Sequence, residues 1–251
     1  MVKKTVLITG AGSGIGLATA RKYIQESNNV ALLSYTKEKM VAGVKDLDDQ
    51  FGDNIFFCQT DISDSHAVDE AVQAVIDHFG GLDIAVNNAG ISGNFKPLAE
   101  LSDADFSQVI DVDLKGTFYC MRAELKHFAS VKHGSIVNVS AEGSLMASPT
   151  MAAYISAKAG MNGLTRAAAI DYVRQGIRVN AIAPGGTYTN MTADTIDNTD
   201  FGKYIKRVVP MGRIAKAEEI ADAIMYVASD KASFMTGQVI AVDGGQSAGL
   251  M

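Results

Sequence analysis

The sequence predicts an α/β fold in which helices cover both faces of a doubly wound, parallel sheet. Short runs rich in Val and Ile alternate with longer stretches of helical period from one end of the chain to the other. The runs are apolar at successive positions, which is typical of strands buried on both faces. The stretches between them supply the crossovers that parallel strands need.

Seven strands and six helices follow from this alternation. Strands are predicted where the apolar runs occur, at residues 3–9, 30–34, 55–59, 82–87, 134–140, 177–183 and 237–242. Helices are predicted where apolar residues recur at the spacing of helical turns, at residues 14–26, 37–50, 64–79, 103–129, 153–174 and 216–229.

The chain is predicted to form a single domain over residues 1–251. No linker rich in Pro, Gly or Ser divides it, and we see no internal repeat. The long irregular segment follows the sixth strand, at about residues 185–210. Because it lies beyond the carboxyl end of a strand, it is predicted to cover a ligand as a substrate lid.

Composition and charge narrow the classes of partner. The chain is 47% hydrophobic and 20% charged, with a net charge of -6, so we expect a globular protein that binds neither nucleic acid nor an anionic membrane. No apolar run reaches about 18 residues, and the expected location is the cytoplasm.

Cys58 and Cys120 are isolated and are predicted to be buried thiols. The four histidines show no ligand spacing, so we expect no metal site.

The first predicted strand ends in a glycine loop, TGAGSGIG, at residues 9–16. Gly10, Gly14 and Gly16 allow a tight turn, a close approach of the backbone to a diphosphate, and close packing of helix on strand. The free amides and the positive end of the helix dipole then hold the anion. The loop therefore predicts nucleotide binding.

The spacing Gly-x-x-x-Gly-x-Gly resembles the short-chain dehydrogenase/reductase family, and four later segments support the resemblance. They are Asn87-Asn88-Ala89-Gly90, the pair Tyr154 and Lys158 in YISAK, Pro184-Gly185 followed by Thr189, and Val242-Asp243-Gly244-Gly245. These segments span almost the whole chain in the family's order. The resemblance implies a Rossmann fold and an oxidoreductase that uses NAD(P)(H).

The same resemblance implies a set of cofactor contacts. Asp61 should bond the adenine beside the backbone of Ile62, although it is equally suited to be an acid at the N-terminus of the next helix. Thr187 and Thr189 should contact the nicotinamide carboxamide and the phosphates. The full set comprises Gly10, Ser13, Gly14, Ile15, Gly16, Ser34, Tyr35, Asp61, Ile62, Asn87, Ala89, Gly90, Tyr154, Lys158, Pro184, Gly185, Thr187 and Thr189.

The end of the second strand favours NADP and leaves NAD open. An Asp or Glu there would bind the ribose hydroxyls and repel a 2'-phosphate, whereas this chain has Ser34 followed by Tyr35. Ser34, Thr36 and Lys37 together offer groups that accept the phosphate. Lys37 and Lys39 are equally well explained as solvated charges of a helix.

Tyr154 and Lys158 are the predicted catalytic pair. Four residues apart on a helix, their side chains lie on one face. A phenol is too weak an acid to protonate a carbonyl oxygen unless a nearby cation stabilises its anion. The resemblance implies that Lys158 supplies this charge and also bonds the nicotinamide ribose.

Two positions depart from the family pattern. The family adds a serine that bonds the substrate oxygen, and counting back from Tyr154 without gaps places it at Ala141; one extra loop residue would place it at Ser140. The family also has an asparagine where this chain has Asp113, a carboxylate able to pair with Lys158. Ser140 can take over the hydroxyl role, Ala141 can be an engineered substitution, or the protein can be a weakly active or inactive nucleotide binder.

The expected substrate is a secondary alcohol or ketone on a modest hydrophobic body. The residues expected around it are Ser92, Gly93, Asn94, Leu145, Met146, Tyr188 and Met191. The resemblance also implies a homotetramer formed through the helices at 103–129 and 153–174 and the last strand. The competing hypothesis is a redox-inactive nucleotide sensor on the same fold.

Overall fold

The computed structural model describes residues 3–189, 192–193 and 200–249. Its strands are β1 (Thr5–Thr9), β2 (Asn29–Ser34), β3 (Ile55–Gln59), β4 (Ile84–Asn87), β5 (Gly134–Val139), β6 (Ile177–Pro184), β7 (Thr187–Tyr188), β8 (Ala215–Lys216) and β9 (Val239–Val242). Its helices are α1 (Gly14–Gln25), α2 (Lys37–Phe51), α3 (Ser65–Phe79), α4 (Asp103–Val109), α5 (Thr117–Val131), α6 (Ala152–Tyr172), α7 (Asp200–Val208) and α8 (Ala217–Ala228). A π-helical turn, Ile110–Gly116, joins α4 to α5, and a 3₁₀ turn, Glu142–Ser144, follows β5.

Seven of these strands form one sheet in the order β3-β2-β1-β4-β5-β6-β9, and every pairing in it is parallel. The predicted α/β class and the parallel sheet are therefore confirmed. The strand order reverses between β1 and β4. In open α/β sheets a ligand crevice lies at the carboxyl ends of the strands beside such a reversal.

The core has two apolar layers, one on each face of the sheet. Val6 and Ile8 of β1 pack in the layer beneath α1, α2 and α8, whereas Leu7 packs in the layer beneath α3, α5 and α6. All five residues of β1 are buried, as the run TVLIT predicts for a central strand.

Two predicted segments differ from the structure. The helix predicted at 103–129 is α4, the π-helical turn and α5 in succession, because a π turn inserts a residue without interrupting the apolar pattern. The segment predicted as irregular, 185–210, contains β7 and α7, and β7 pairs with β8. Residues 190–191 and 194–199 of this segment lie outside the described residues.

Two further expectations concern the burial of the cysteines and the lack of a membrane-spanning segment. Cys120 is buried as predicted, but Cys58 is only half-buried because β3 is an edge strand of the sheet. Within the described part of the chain, no helix is both long and apolar enough to cross a membrane.

Candidate active site

The glycine loop forms a backbone cradle at the start of α1. Gly10 and Gly14 have φ of 66° and 54°, a region that side chains disfavour. A Cβ at Gly16 would lie 2.5 Å from the carbonyl oxygen of Gly10, so the helix can approach the strand only with glycine there. Ser13 is the N-cap of α1 in extended backbone, and its side chain makes no capping hydrogen bond. The first amides of α1, including that of Ile15, are thus available to an anion.

A hydrogen-bond network that sequence reasoning missed locks the glycine loop to the turn after β4. The Thr9 hydroxyl accepts hydrogen bonds from the backbone N–H groups of Asn88 and Ala89, each at 3.0 Å. The Asn88 amide donates to the carbonyl oxygens of Thr9 at 3.1 Å and Gly10 at 3.3 Å. These hydrogen bonds therefore join the two loops that meet at the sheet reversal.

The residues expected near the adenine follow β2 and β3. Ser34 borders the glycine loop, since its Oγ lies 3.3 Å from where a Cβ of Gly12 would stand. Tyr35 is 72% exposed. Asp61 accepts hydrogen bonds from the backbone N–H and hydroxyl of Ser63, at 2.9 and 2.7 Å.

The N-cap of α3 is Asp64 rather than Asp61, because the Asp64 carboxylate accepts from the backbone N–H groups of His66 and Ala67. The alternative role of Asp61 as the acid at this helix terminus therefore falls to Asp64. Ile62 is buried, and its side chain and carbonyl oxygen pack against Gly116.

The Asn87 side chain points into the core. Its amide donates to Glu124 Oε2 at 3.1 Å and to Asn138 Oδ1 at 3.0 Å. Any contact of Asn87 with a ribose must therefore come from its backbone. Burial raises the pKa of Glu124 to about 8, and the bond from Asn87 limits the rise.

The first residues of the segment predicted to be a lid, up to Thr189, lie over the glycine loop. The buried Pro184 ends β6, and Gly185 accepts a hydrogen bond from the Thr187 hydroxyl at 2.9 Å. A Cβ at Gly14 would lie 3.1 Å from the Thr189 side chain, so this threonine stands against the cradle. Thr189 is held there by its backbone N–H, which donates to Thr192 Oγ1 at 3.0 Å.

Tyr154 and Lys158 lie together on α6, as predicted from their spacing. The Lys158 ammonium lies 5.5 Å from the centre of the Tyr154 ring and donates to the carbonyl oxygen of Val139 at 3.1 Å. Lys158 is only 3% exposed. Burial, followed by the negative charges of Asp113 and Glu142, raises the pKa of the Tyr154 phenol. The phenol is therefore protonated at neutral pH.

Asp113 lies on the π-helical turn, fully buried beside Lys158. Its Oδ2 is 3.4 Å from the Lys158 ammonium, and its Oδ1 accepts a hydrogen bond from the backbone N–H of Ile91 at 2.8 Å. A Cβ at Gly90 would lie 2.8 Å from Oδ2, so this glycine leaves room for the pair. Burial raises the pKa of Asp113, and the charge of Lys158 opposes the rise.

Ser140 and Ala141 are both buried at the end of β5. The Ser140 hydroxyl lies 3.1 Å from Ser144 Oγ and 3.3 Å from the carbonyl oxygen of Lys158. Ser144 donates to the carbonyl oxygen of Ala141 at 2.6 Å and accepts from the Asn162 amide at 2.8 Å. Because a hydroxyl has one proton, the proton of Ser140 is used within this network.

The residues expected around the substrate are spread over three loops. Gly93 packs against Val109, and the Asn94 amide donates to Asp105 at 2.6 Å, so both lie against α4. Ser92 is half-buried, while Leu145, Met146 and Tyr188 are 43%, 39% and 48% exposed. Met191 lies outside the described residues.

Comparison with known proteins agrees with this fold. Residues 10–247 match the family model described as enoyl-(acyl carrier protein) reductase. The chain is 39% identical over 247 residues to the short chain dehydrogenase/reductase astE of Aspergillus oryzae, covering 97% of this chain and 95% of the relative. It is 38% identical over 248 residues to cis-4-hydroxycyclohexanecarboxylate dehydrogenase of Sinomonas cyclohexanicum, covering 98% and 97%.

Two similar solved structures carry a pyridine nucleotide. ElxO with NADP bound has a TM-score of 0.93 and 35% identity, covering 99% of this chain and 100% of that one. The 3-ketoacyl-(acyl-carrier-protein) reductase of Brucella melitensis complexed with NADH has a TM-score of 0.89 and 31% identity, covering 98% and 100%. The present chain belongs to the short-chain dehydrogenase/reductase family and is an oxidoreductase of that family.

Proposed function

We propose that this protein interconverts a secondary alcohol and a ketone with NADP(H), or with NAD(H), and that Tyr154 is its general acid and base. The observation that carries the proposal is the buried Lys158 ammonium beside the Tyr154 phenol, in a chain whose glycine loop leaves a free helix N-terminus. A phenol and a fixed ammonium are the groups that proton transfer to a carbonyl oxygen needs.

The cradle of the glycine loop fits a dinucleotide. The positive φ of Gly10 and Gly14 and the uncapped amides after Ser13 suit a diphosphate. The backbone of Ala89 and Gly90, with Thr187 and Thr189 of the lid entrance, would complete the site. When bound, the nicotinamide supplies a hydride to the substrate carbon or accepts one from it.

The chain's own part in the reaction is proton transfer. In ketone reduction Tyr154 donates its phenolic proton to the substrate oxygen, and in alcohol oxidation its phenolate accepts the proton. Lys158 stabilises that phenolate by its charge, and its bond to the carbonyl oxygen of Val139 holds the ammonium in place.

We propose that NADP is the preferred nucleotide. Ser34 stands where a carboxylate would repel a 2'-phosphate, and it borders the glycine loop near Lys39, whose Cβ would lie 3.1 Å from a Cβ of Gly12. The exposed Tyr35 is free to lie against an adenine.

In this proposal the substrate oxygen receives a hydrogen bond from Tyr154 but not from the serine that the family pattern adds. Ala141 occupies the position that the family resemblance assigns to a serine, and the hydrogen bonds of Ser140 favour a role in holding α6. Removing one donor of this kind lowers the rate by about 10² to 10³. We therefore expect slow but measurable turnover.

We further propose a cyclic alcohol or ketone as the substrate class and residues 185–210 as the lid. The exposed Leu145, Met146 and Tyr188 offer apolar surface beside the cleft. The similarity to cis-4-hydroxycyclohexanecarboxylate dehydrogenase supports a substrate with a six-membered ring. A homotetramer is proposed from the family resemblance and from the exposed Phe118 and Ile170 on α5 and α6.

The test follows the nicotinamide absorbance while NADPH or NADH is mixed with a panel of cyclic and open-chain ketones. We expect ketone-dependent oxidation that Tyr154→Phe slows by about 10² or more, with nucleotide binding retained in that variant. Loss of binding together with activity would instead indicate that Tyr154 has a structural role.

A second candidate function is a nucleotide binder without redox activity, and the absence of a hydroxyl at Ala141 favours it. Tight nucleotide binding without turnover on any ketone, even after Ala141→Ser, would support this second function and reject the first.

A further inference from the structure

Asp113 and Lys158 form an ion pair that is closed off from solvent. The aspartate side chain is 0% exposed and the lysine side chain 4%, with 3.4 Å between Oδ2 and Nζ. Asp113 is fixed at its other oxygen by the backbone N–H of Ile91, and Lys158 by the carbonyl oxygen of Val139. The ammonium is thus held between two fixed oxygens from different elements.

The Tyr154 phenol is faced by charges from three elements. Asp113 approaches from the π-helical turn and Glu142 from the turn after β5, and both negative charges oppose loss of the phenolic proton. Lys158 lies one helical turn along α6. Asp243, after β9, in turn faces Glu142; burial first, and then this charge, raises the pKa of Glu142.

We propose that Asp113 is a positioning residue that fixes the Lys158 ammonium in a buried ion pair and thereby confines alcohol oxidation to alkaline pH. The inference rests on the proposed oxidoreductase function and concerns the regulation of that same site by pH. Oxidation requires the Tyr154 phenolate, and the Asp113 carboxylate cancels much of the positive charge that would stabilise it.

The chemical difference between a carboxylate and an amide makes this inference testable. An asparagine at 113 keeps the shape and the oxygen that accepts from Ile91, but it carries no charge. The Lys158 charge would then act on the phenol without compensation, so the phenol would lose its proton at a lower pH. Ketone reduction, which uses the protonated phenol, would lose activity at a correspondingly lower pH.

The experiment compares the pH dependence of kcat/KM in both directions for the wild type, Asp113→Asn and Asp111→Asn. Asp111 is the matched control, because it lies on the same π-helical turn but its carboxylate is exposed and pairs with Lys115. We expect Asp113→Asn to move both profiles to lower pH by about one unit, the low end of the effect of a neighbouring charge. Asp111→Asn should leave them in place. Equal profiles in all three proteins would overturn the proposal.

A second measurement separates this inference from the proposed function and does not depend on turnover. The tyrosinate absorbance is titrated with nucleotide present, and each protein is compared with its own Tyr154→Phe counterpart. A lower midpoint for the Tyr154 signal in Asp113→Asn supports the role of Asp113 even if no ketone is reduced, which would reject only the proposed function. Equal midpoints in the wild type and Asp113→Asn would overturn the proposed role of Asp113. If Asp113→Asn does not fold, the smaller neutral variant Asp113→Ser replaces it in both measurements.

Discussion

Replacing Ala141 with serine should raise the turnover of this protein. The residue lies between β5 and the 3₁₀ turn in extended backbone, with φ of -159° and ψ of 155°, a conformation that serine adopts without strain. Counting back from Tyr154 without gaps, the new hydroxyl would stand at the position that the family resemblance assigns to the donor for the substrate oxygen. Ser140 already donates its proton to Ser144 or to the carbonyl oxygen of Lys158, so the two hydroxyls would not be redundant.

The expected gain in kcat comes with a loss of folding stability. One donor to a developing oxyanion is worth about 2.7–4 kcal/mol, or about 10² to 10³ in kcat. Ala141 is 5% exposed, so a hydroxyl without a partner in the free protein would cost about 1–3 kcal/mol of folding free energy. A domain of this length loses about 2–4 °C of Tm for each kcal/mol. We therefore expect faster turnover together with a lower Tm.

The assay is steady-state NADPH oxidation with the best ketone of the panel, with Tm measured on the same preparations. The control is Ser140→Ala, which should lose about 1 kcal/mol of stability but keep kcat within about tenfold of the wild type. The reasoning would be refuted if Ala141→Ser gave no gain while Ser140→Ala lost about 10² or more. Ser140 would then be the donor.

Three other perturbations test separate parts of the site. In Gly16→Ala the new Cβ would meet the Gly10 carbonyl oxygen at 2.5 Å, so nucleotide affinity should fall at least about tenfold in a fluorescence titration. The control is Gly81→Ala, because a Cβ at Gly81 would have no atom within 4 Å. Equal affinities in the two variants would contradict the role of the glycine loop in nucleotide binding. Ser34→Asp should raise the KM for NADPH relative to NADH by about tenfold or more through charge repulsion, and an unchanged ratio would reject the preference for NADP. Because the folded-state pKa of Glu124 is about 8 against an ordinary 4.5, its contribution to stability should be lost as pH rises between these values, by up to about 5 kcal/mol. Glu124→Gln should flatten the dependence of the free energy of unfolding on pH, and an unchanged slope would show that Glu124 is not its source.

The sheet was predictable because its strands are buried on both faces. A run such as that of β1 has no other way to bury every side chain, and the same pattern recurs in order along the chain. The glycine loop was predictable for a similar reason, since Gly10 and Gly14 adopt a positive φ that other residues avoid.

The directions of polar side chains could not be read from the sequence. Asn87 belongs to a motif of the crevice, yet its amide turns inward because buried Glu124 and Asn138 need a donor there. The proton of Ser140 is engaged by Ser144, itself held by Asn162 on α6. Such contacts join residues far apart in sequence, and spacing along the chain does not reveal them.

The π-helical turn was not predicted for a different reason. An inserted residue leaves the apolar pattern of 103–129 almost continuous, so a single helix was the simplest interpretation. The spacing of motifs did indicate that Asp113 departs from the family pattern. Its burial beside Lys158 and its bond to the backbone of Ile91 became visible only in three dimensions.

The most direct test of the proposed reaction is to follow a deuterium label from the nicotinamide. Reduction of a cyclic ketone by NADPH deuterated at the transferred position should place one deuterium on the carbinol carbon of the product. The same reaction in Tyr154→Phe should be slower by about 10² or more. A product without deuterium, or an equal rate in Tyr154→Phe, would contradict the proposal that this site couples hydride transfer to proton donation by Tyr154.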